Sequence, residues 1–137
     1  MAVRPDEGGG GVVIGEVGGV EGFRFRKLLI WQRAADLAIR LDEVACQLDE
    51  RKKYRFAEQL RAAGLSISNN IAEGSGSNTS PDFRKFLFIA RKSAFECASM
   101  LLIFQRRNYT MASDTEELVN ELEAVCRMII AFSKTLK

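Results

Sequence analysis

The sequence predicts an all-α fold, an antiparallel up-down-up-down four-helix bundle, and three observations predict it. Apolar residues recur at spacings of three and four along four segments between Leu28 and Leu136, the repeat of a single helical face. No segment after residue 23 sustains the alternation of a half-buried strand. The breaks between segments are short, which makes successive helices antiparallel neighbours. At 137 residues the chain has the length of one domain around one core.

Residues 1–22 stand apart from this pattern. Eight of the eleven glycines fall between Gly8 and Gly22, a composition with high backbone entropy and no helical period, so a flexible tail is expected over residues 1–22 and the bundle domain over 23–137. Helix 1 starts at Leu28, with Trp31, Ala34, Ala38, Leu41, Ala45 and Leu48 on one face. A charged break, DERKK at residues 49–53, ends it. Helix 2 carries Phe56, Leu60, Ala63, Ile67 and Ile71. Ser80 is an expected N-cap with Pro81 in the first turn, and helix 3 runs from there to about Arg107 with the seam Phe83, Leu87, Ala90, Ala94, Cys97, Leu101 and Phe104. Ser113-Asp114-Thr115-Glu116 has the form of a capping box and opens helix 4, whose seam is Leu118, Leu122, Val125, Ile129, Phe132 and Leu136. The runs FLFIA (86–90), MLLIF (100–104) and MIIAF (128–132) are apolar around more of the helix than one seam needs. The excess predicts contact with another subunit.

Several chemistries are excluded by composition. The chain has no histidine, so neither a histidine-based triad nor a histidine-ligated metal site exists in it. Cys46, Cys97 and Cys126 are far apart, odd in number and set among apolar residues. They read as small buried hydrophobes in a reducing compartment, without disulfide framework or zinc knuckle. No apolar run approaches the ~20 residues of a membrane span, and a cytoplasmic protein with no membrane partner is expected.

The stretch SISNNIAEGSGSNTSPDF (66–83) raises the question of a phosphate loop. Its glycines, Gly74 and Gly76, are followed by no lysine, Thr79 stands where a dinucleotide fingerprint needs its third glycine, and the preceding segment is helical. It reads instead as a joint, with Gly74 a left-handed C-cap of helix 2. Ala62, Ala63, Gly64, Ser66 and Ser68 let helix 2 lie close to a neighbour, and Asn70 and Glu73 are placed to cap or to bond another helix.

QLRAAGLSISNNIAEGSG (59–76), with WQRAADLA (31–38) and FRKFLFIARKSAFE (83–96), resembles the 23S rRNA intervening-sequence proteins, also called S23 ribosomal proteins. The resemblance covers residues 23–137, and its most specific part is the motif Asn70, Ile71, Ala72, Glu73 and Gly74. The chain departs from the family pattern at Ser68, where members carry proline, and after Glu96, where Cys97 and Ala98 follow. The resemblance implies a bacterial four-helix bundle assembled as a barrel-like homopentamer. A more distant group, the accessory variability proteins of diversity-generating retroelements, is a basic pentamer that binds RNA and a reverse transcriptase.

Charge patterning bears on the same question. Residues 24–112 hold sixteen Lys/Arg against nine Asp/Glu, whereas residues 113–137 hold three against five. Within the basic part Arg26, Arg33 and Arg40 lie seven apart, as do Arg84 and Arg91, and Lys85 and Lys92. Seven residues is nearly two turns, so each set forms a stripe that attracts phosphate without reading sequence. The competing reading pairs Arg33 and Arg40 with Asp36 on the same helix, and Lys85 with Asp82. The expectation is a non-enzymatic, cofactor-free homo-oligomer that binds RNA through Arg26, Arg33, Arg40, Arg84, Lys85, Arg91 and Lys92. The alternative is a protein-interaction module, such as an accessory subunit to a reverse transcriptase.

Overall fold

The computed structural model describes residues 22–137, so the tail expected over residues 1–22 lies, apart from Gly22, outside the described residues. A short 3-10 turn, Arg24–Lys27, leads into four helices: α1 (Leu29–Glu50), α2 (Tyr54–Ser75), α3 (Ser80–Arg106) and α4 (Ala112–Thr135). No strand occurs among the described residues. Each helix packs on two neighbours, α1 on α2 and α4, α3 on α2 and α4, while the diagonal pairs stay apart. Between them lies one core that includes Leu37, Leu41, Leu60, Ile67, Leu87, Leu101, Leu122 and Ile129.

Small side chains on α2 bring its neighbours closest. The α1–α2 and α2–α3 contacts are the most extensive in the bundle, and α1–α4 is the loosest. Ala57, Ala63, Gly64, Ser68, Gly74 and Ser75 are all buried on α2. Leu41 of α1 fills the space over Gly64, with its Cδ1 3.0 Å from where a Cβ would stand. Ser93 of α3 donates to Ser66 Oγ at 2.8 Å, and Asn70 Nδ2 donates to that oxygen at 2.9 Å and to Ser66 O at 2.8 Å. This polar string crosses from α3 to α2 without leaving its donors unpaired.

Several local expectations are corrected. Gly74 does not cap α2 in a left-handed conformation. The helix continues to Ser75, its C-cap Gly76 has φ −90°, and Gly74 is an interior position where an added Cβ would lie 2.7 Å from Phe83 Cδ1. Its hydrogen side lets α3 approach, which is a packing reason for glycine. The N-cap of α3 is Thr79, whose hydroxyl accepts from Asp82 N at 3.3 Å, and Ser80 is the first helical residue. The Ser113–Glu116 capping box does not form, because α4 begins at Ala112 with Met111 as an N-cap that offers no side-chain bond. The earlier start buries Thr115, whose hydroxyl meets that of Thr110 at 3.1 Å.

The seams differ in how closely they follow the sequence. All seven expected α3 residues are buried, and so are Leu118, Leu122, Val125 and Ile129 of α4. On α1, Ile30, Leu37 and Val44 are buried as well, and Trp31 and Ala38 lie at the edge of the face. Phe56 of α2 is 40% exposed, with its ring against Phe104 and Tyr109 at one end of the bundle. Of the three cysteines expected to be buried, Cys97 is fully so, Cys126 is half-buried and Cys46 is exposed on the outer side of α1; burial, with Glu96 adding to it, pushes the Cys97 thiol up to about 12.

Candidate nucleic-acid interface

The seven cations expected to bind phosphate do not share one surface. Arg26 lies in the 3-10 turn, not on α1, so it does not continue the stripe of Arg33 and Arg40. Those two point at α4. Arg33 meets Glu121 Oε2 at 2.7 Å and Arg40 meets Glu117 Oε1 at 3.2 Å, so their partners are acids of α4 rather than Asp36. The acidic last segment of the chain thus offsets the charge of α1. Half-exposed pairs of this kind contribute ~0–1 kcal/mol each, yet a charge so occupied is less available to phosphate.

On α3 the two stripes separate. Arg84 Nη1 donates to Leu136 O at 3.1 Å, and Arg91 stacks on Phe95 with its Cζ 4.7 Å from the ring centroid. Arg91 Nε is buried without a hydrogen-bond partner. Lys85 and Lys92 are exposed, one turn before the exposed rings of Phe88 and Phe95. With Arg26, they are the members of the expected set that stand open to solvent.

The motif residues are mostly structural. Ile71 is completely buried, Asn70 belongs to the polar string on Ser66, and Gly74 admits Phe83 and Phe86. Ser75 O accepts from Arg24 Nε at 3.0 Å, and that guanidinium also covers the Phe83 ring. The arrangement neutralises the carbonyl end of α2. Glu73 is exposed on the outer surface of the same turn.

A denser set of cations lies at the end of the bundle where the α1–α2 and α3–α4 connections meet. Arg51, Lys52 and Lys53 come from the first and Arg107 from the second, joined by Arg55 from the first turn of α2 and Arg106 from the last turn of α3. Arg51 Nη1 donates to Asn108 O at 2.7 Å and joins the two turns. Tyr109 stands among them, with Lys53 Nζ at 4.9 Å, Arg51 Cζ at 5.2 Å and Arg107 Cζ at 5.6 Å from its ring centroid. The Arg107 hydrogen bond, followed by Lys53, holds the Tyr109 phenol below its ordinary range. The two turns are built alike. Lys53 N bonds Leu48 O at 2.8 Å and Tyr109 N bonds Phe104 O at 2.9 Å, closing each helix over a left-handed residue, Lys52 at φ 63° and Asn108 at φ 61°. The sequence signals were DERKK and the RRNY that follows helix 3, but nothing in their spacing shows that they meet.

Two exposed apolar patches complete the surface. Phe88, Phe95 and Leu102 follow one another every seven residues along α3, flanked by Ile89 and Ile103. They form a stripe ~20 Å long. A shallow hollow between α1 and α2 is lined by Ala38, Ile39 and Leu65, with the Arg61–Asp42 pair at its rim. No helix among the described residues is long and apolar enough to cross a membrane.

Comparison with known proteins adds the following. The family model described as 23S rRNA-intervening sequence protein matches residues 26–131. The chain is similar to the crystal structure of a protein with unknown function from the S23 ribosomal protein family of Bacteroides thetaiotaomicron VPI-5482. The identity is 25%, the TM-score is 0.74, and the match covers 77% of this chain and 99% of that one. None of the curated proteins matches the chain.

Proposed function

The chain belongs to the family of 23S rRNA-intervening sequence proteins, and from that premise we propose that it is a non-enzymatic, self-associating protein that binds RNA. The observation that carries RNA binding is the distribution of its cations. The acids of α4 occupy Arg33 and Arg40, whereas Lys85, Lys92 and the cations of the two turns keep their charge at the surface. Such charge binds the phosphate backbone without sequence preference, and its affinity falls with salt as counterions cease to be released.

The up-down-up-down topology belongs to this reading. It is supported by contacts that join early residues of one helix to late residues of the next, as in Gly74 with Phe83 and Phe56 with Phe104. Phe83 with Phe132 repeats the pattern between α3 and α4 and Arg61 with Asp49 between α2 and α1, while between α1 and α4 Arg33 meets Glu121 and the later Arg40 meets the earlier Glu117. Self-association, with five subunits as in relatives, is supported by the α3 stripe and the α1–α2 hollow, both too apolar to gain from facing water. The same stripe is the observation favouring a protein partner as the second reading. Free Cys46 at the surface suits a reducing cytoplasm.

The test is fluorescence anisotropy of a labelled RNA hairpin with single-stranded flanks, titrated with the full chain from about 50 to 200 mM salt. Micromolar or tighter binding at low salt that weakens linearly on a log–log plot is expected. Absence of binding at low salt would remove RNA and leave the protein partner, and affinity indifferent to salt would remove the exposed cations as the groups that bind it.

A further inference from the structure

We infer that the end of the bundle formed by the α1–α2 and α3–α4 turns is a binding site for single-stranded nucleic acid. Its cations take the phosphates, and Tyr54 offers a ring for base stacking. The inference rests on the RNA-binding reading and gives it a place and a strand type.

Helix stability accounts for only part of the charge found there, since Arg51, Lys52, Arg106 and Arg107 lie at the carbonyl ends of α1 and α3 but Lys53 and Arg55 do not. Cations favour the carbonyl end of a helix and disfavour the amide end. Arg51 fits the first role, since it donates to Asn108 O beyond the end of α3. Lys53 and Arg55 contradict it, because they flank the start of α2, whose first turn holds no acid. Lys52 adds a second anomaly. It occupies a left-handed position, φ 63°, where glycine is the unstrained choice. No ion pair among the described residues involves any of the six turn cations, although Glu50 and Asp114 lie close in sequence. Arg51, Lys53 and Arg107 gather on the Tyr109 ring, whereas Lys52, Arg55 and Arg106 are exposed and have neither acid nor ring as partner, so their charge is directed outward.

The aromatic residues decide what kind of anion fits. Tyr54 is 58% exposed between Lys53 and Arg55, and Phe56 is 40% exposed beside Tyr109. An acidic peptide needs no flat apolar surface among the cations. A single strand does, since its bases are unstacked and each gains by lying on a ring while its phosphates meet Lys and Arg. A duplex keeps its bases paired and draws only on the charge. The site therefore discriminates by strand state rather than by sequence.

The experiment uses the full chain, a fluorescein-labelled 12-nucleotide oligouridine and a labelled RNA duplex of equal length. Lys52→Asn/Arg55→Gln/Arg106→Gln removes three exposed charges and leaves the groups that hold Tyr109 in place. Lys85→Gln/Lys92→Gln is the comparison, Tyr54→Ala tests stacking, and circular dichroism checks that each variant is folded. For oligouridine the turn variant should weaken binding at least tenfold and lower the salt slope by about 2, at ~0.7 per phosphate contact. Tyr54→Ala should weaken oligouridine about fivefold or more while leaving the duplex within twofold. If the turn variant binds like the wild type while the Lys85/Lys92 variant fails, the inference is overturned and RNA binding stands. Tyr54→Ala that weakens both probes equally would overturn the strand preference. Wild-type protein that binds neither probe would overturn the inference together with the reading beneath it.

Discussion

Gly74 sets two opposing effects against each other. Alanine in a helix interior gains ~1 kcal/mol over glycine, but here its Cβ would lie 2.7 Å from Phe83 Cδ1 and 2.9 Å from Phe86 Cβ. A ring can tilt, whereas a Cβ is fixed to its backbone, so α3 itself must move. Overpacking of that kind costs ~1–3 kcal/mol and exceeds the propensity gain. At Gly64 the nearest atom is the terminal Cδ1 of Leu41, at 3.0 Å, and a small rotation relieves it. Gly74→Ala should therefore lower the urea unfolding free energy by up to about 2 kcal/mol, whereas Gly64→Ala should leave it unchanged or raise it by up to about 1 kcal/mol. Equal stability of the two variants would contradict the close-approach role. Neither role is readable locally. A glycine near the polar end of a helix looks like a cap, and the atoms that require it belong to residues nine and twelve positions on.

The start of α4 shows how an element settles its own boundary. Met111 is the N-cap, makes no side-chain bond and is 69% exposed, so the first amides of the helix lack a capping acceptor. Met111→Ser should raise stability by ~1 kcal/mol. Ser113→Ala should change it by less than ~0.5 kcal/mol, where a working capping box would lose ~1 kcal/mol; urea melts of both variants separate the two cases. The capping box was a sound pattern overridden by tertiary contact, since starting two residues earlier buries Thr115 against Thr110. The same competition explains which seams were legible. On α3 one repeat of three and four contained every buried apolar side chain. On α1 the buried face is wider than that repeat, and Ile30, Leu37 and Val44 escaped it. The cation stripes failed as a local code for a related reason. Arg33 is paired with an acid 88 residues away, a distance at which helical spacing carries no information. The turn cations were visible as runs, but their convergence on Tyr109 required both connections to fold side by side.

Two separate apolar patches say how copies of the chain would join. A two-fold dimer needs one self-complementary patch, whereas a closed ring needs two different patches that meet head to tail. The α3 stripe of Phe88, Phe95 and Leu102 is exposed, and so are Ile39 and Leu65 at the shallow hollow between α1 and α2. The two patches occupy different helices, so on the proposed reading that they pair with each other the contact is heterologous, and a ring follows if the rotation closes. Phe95→Lys/Leu102→Lys should break the stripe and leave the hollow intact; Ile39→Lys/Leu65→Lys should do the reverse. By light scattering after gel filtration, the wild type should be a ring at micromolar concentration and each variant alone a monomer. Mixed together they retain one intact stripe and one intact hollow. A single heterologous interface then forms, and a species with the mass of two chains should appear in equal proportions of the two variants. A two-fold contact through α3 predicts otherwise, since the hollow variant alone would then remain a dimer and mixing would add nothing. The mixed dimer is the decisive species, because only two unlike patches that recognise each other produce it.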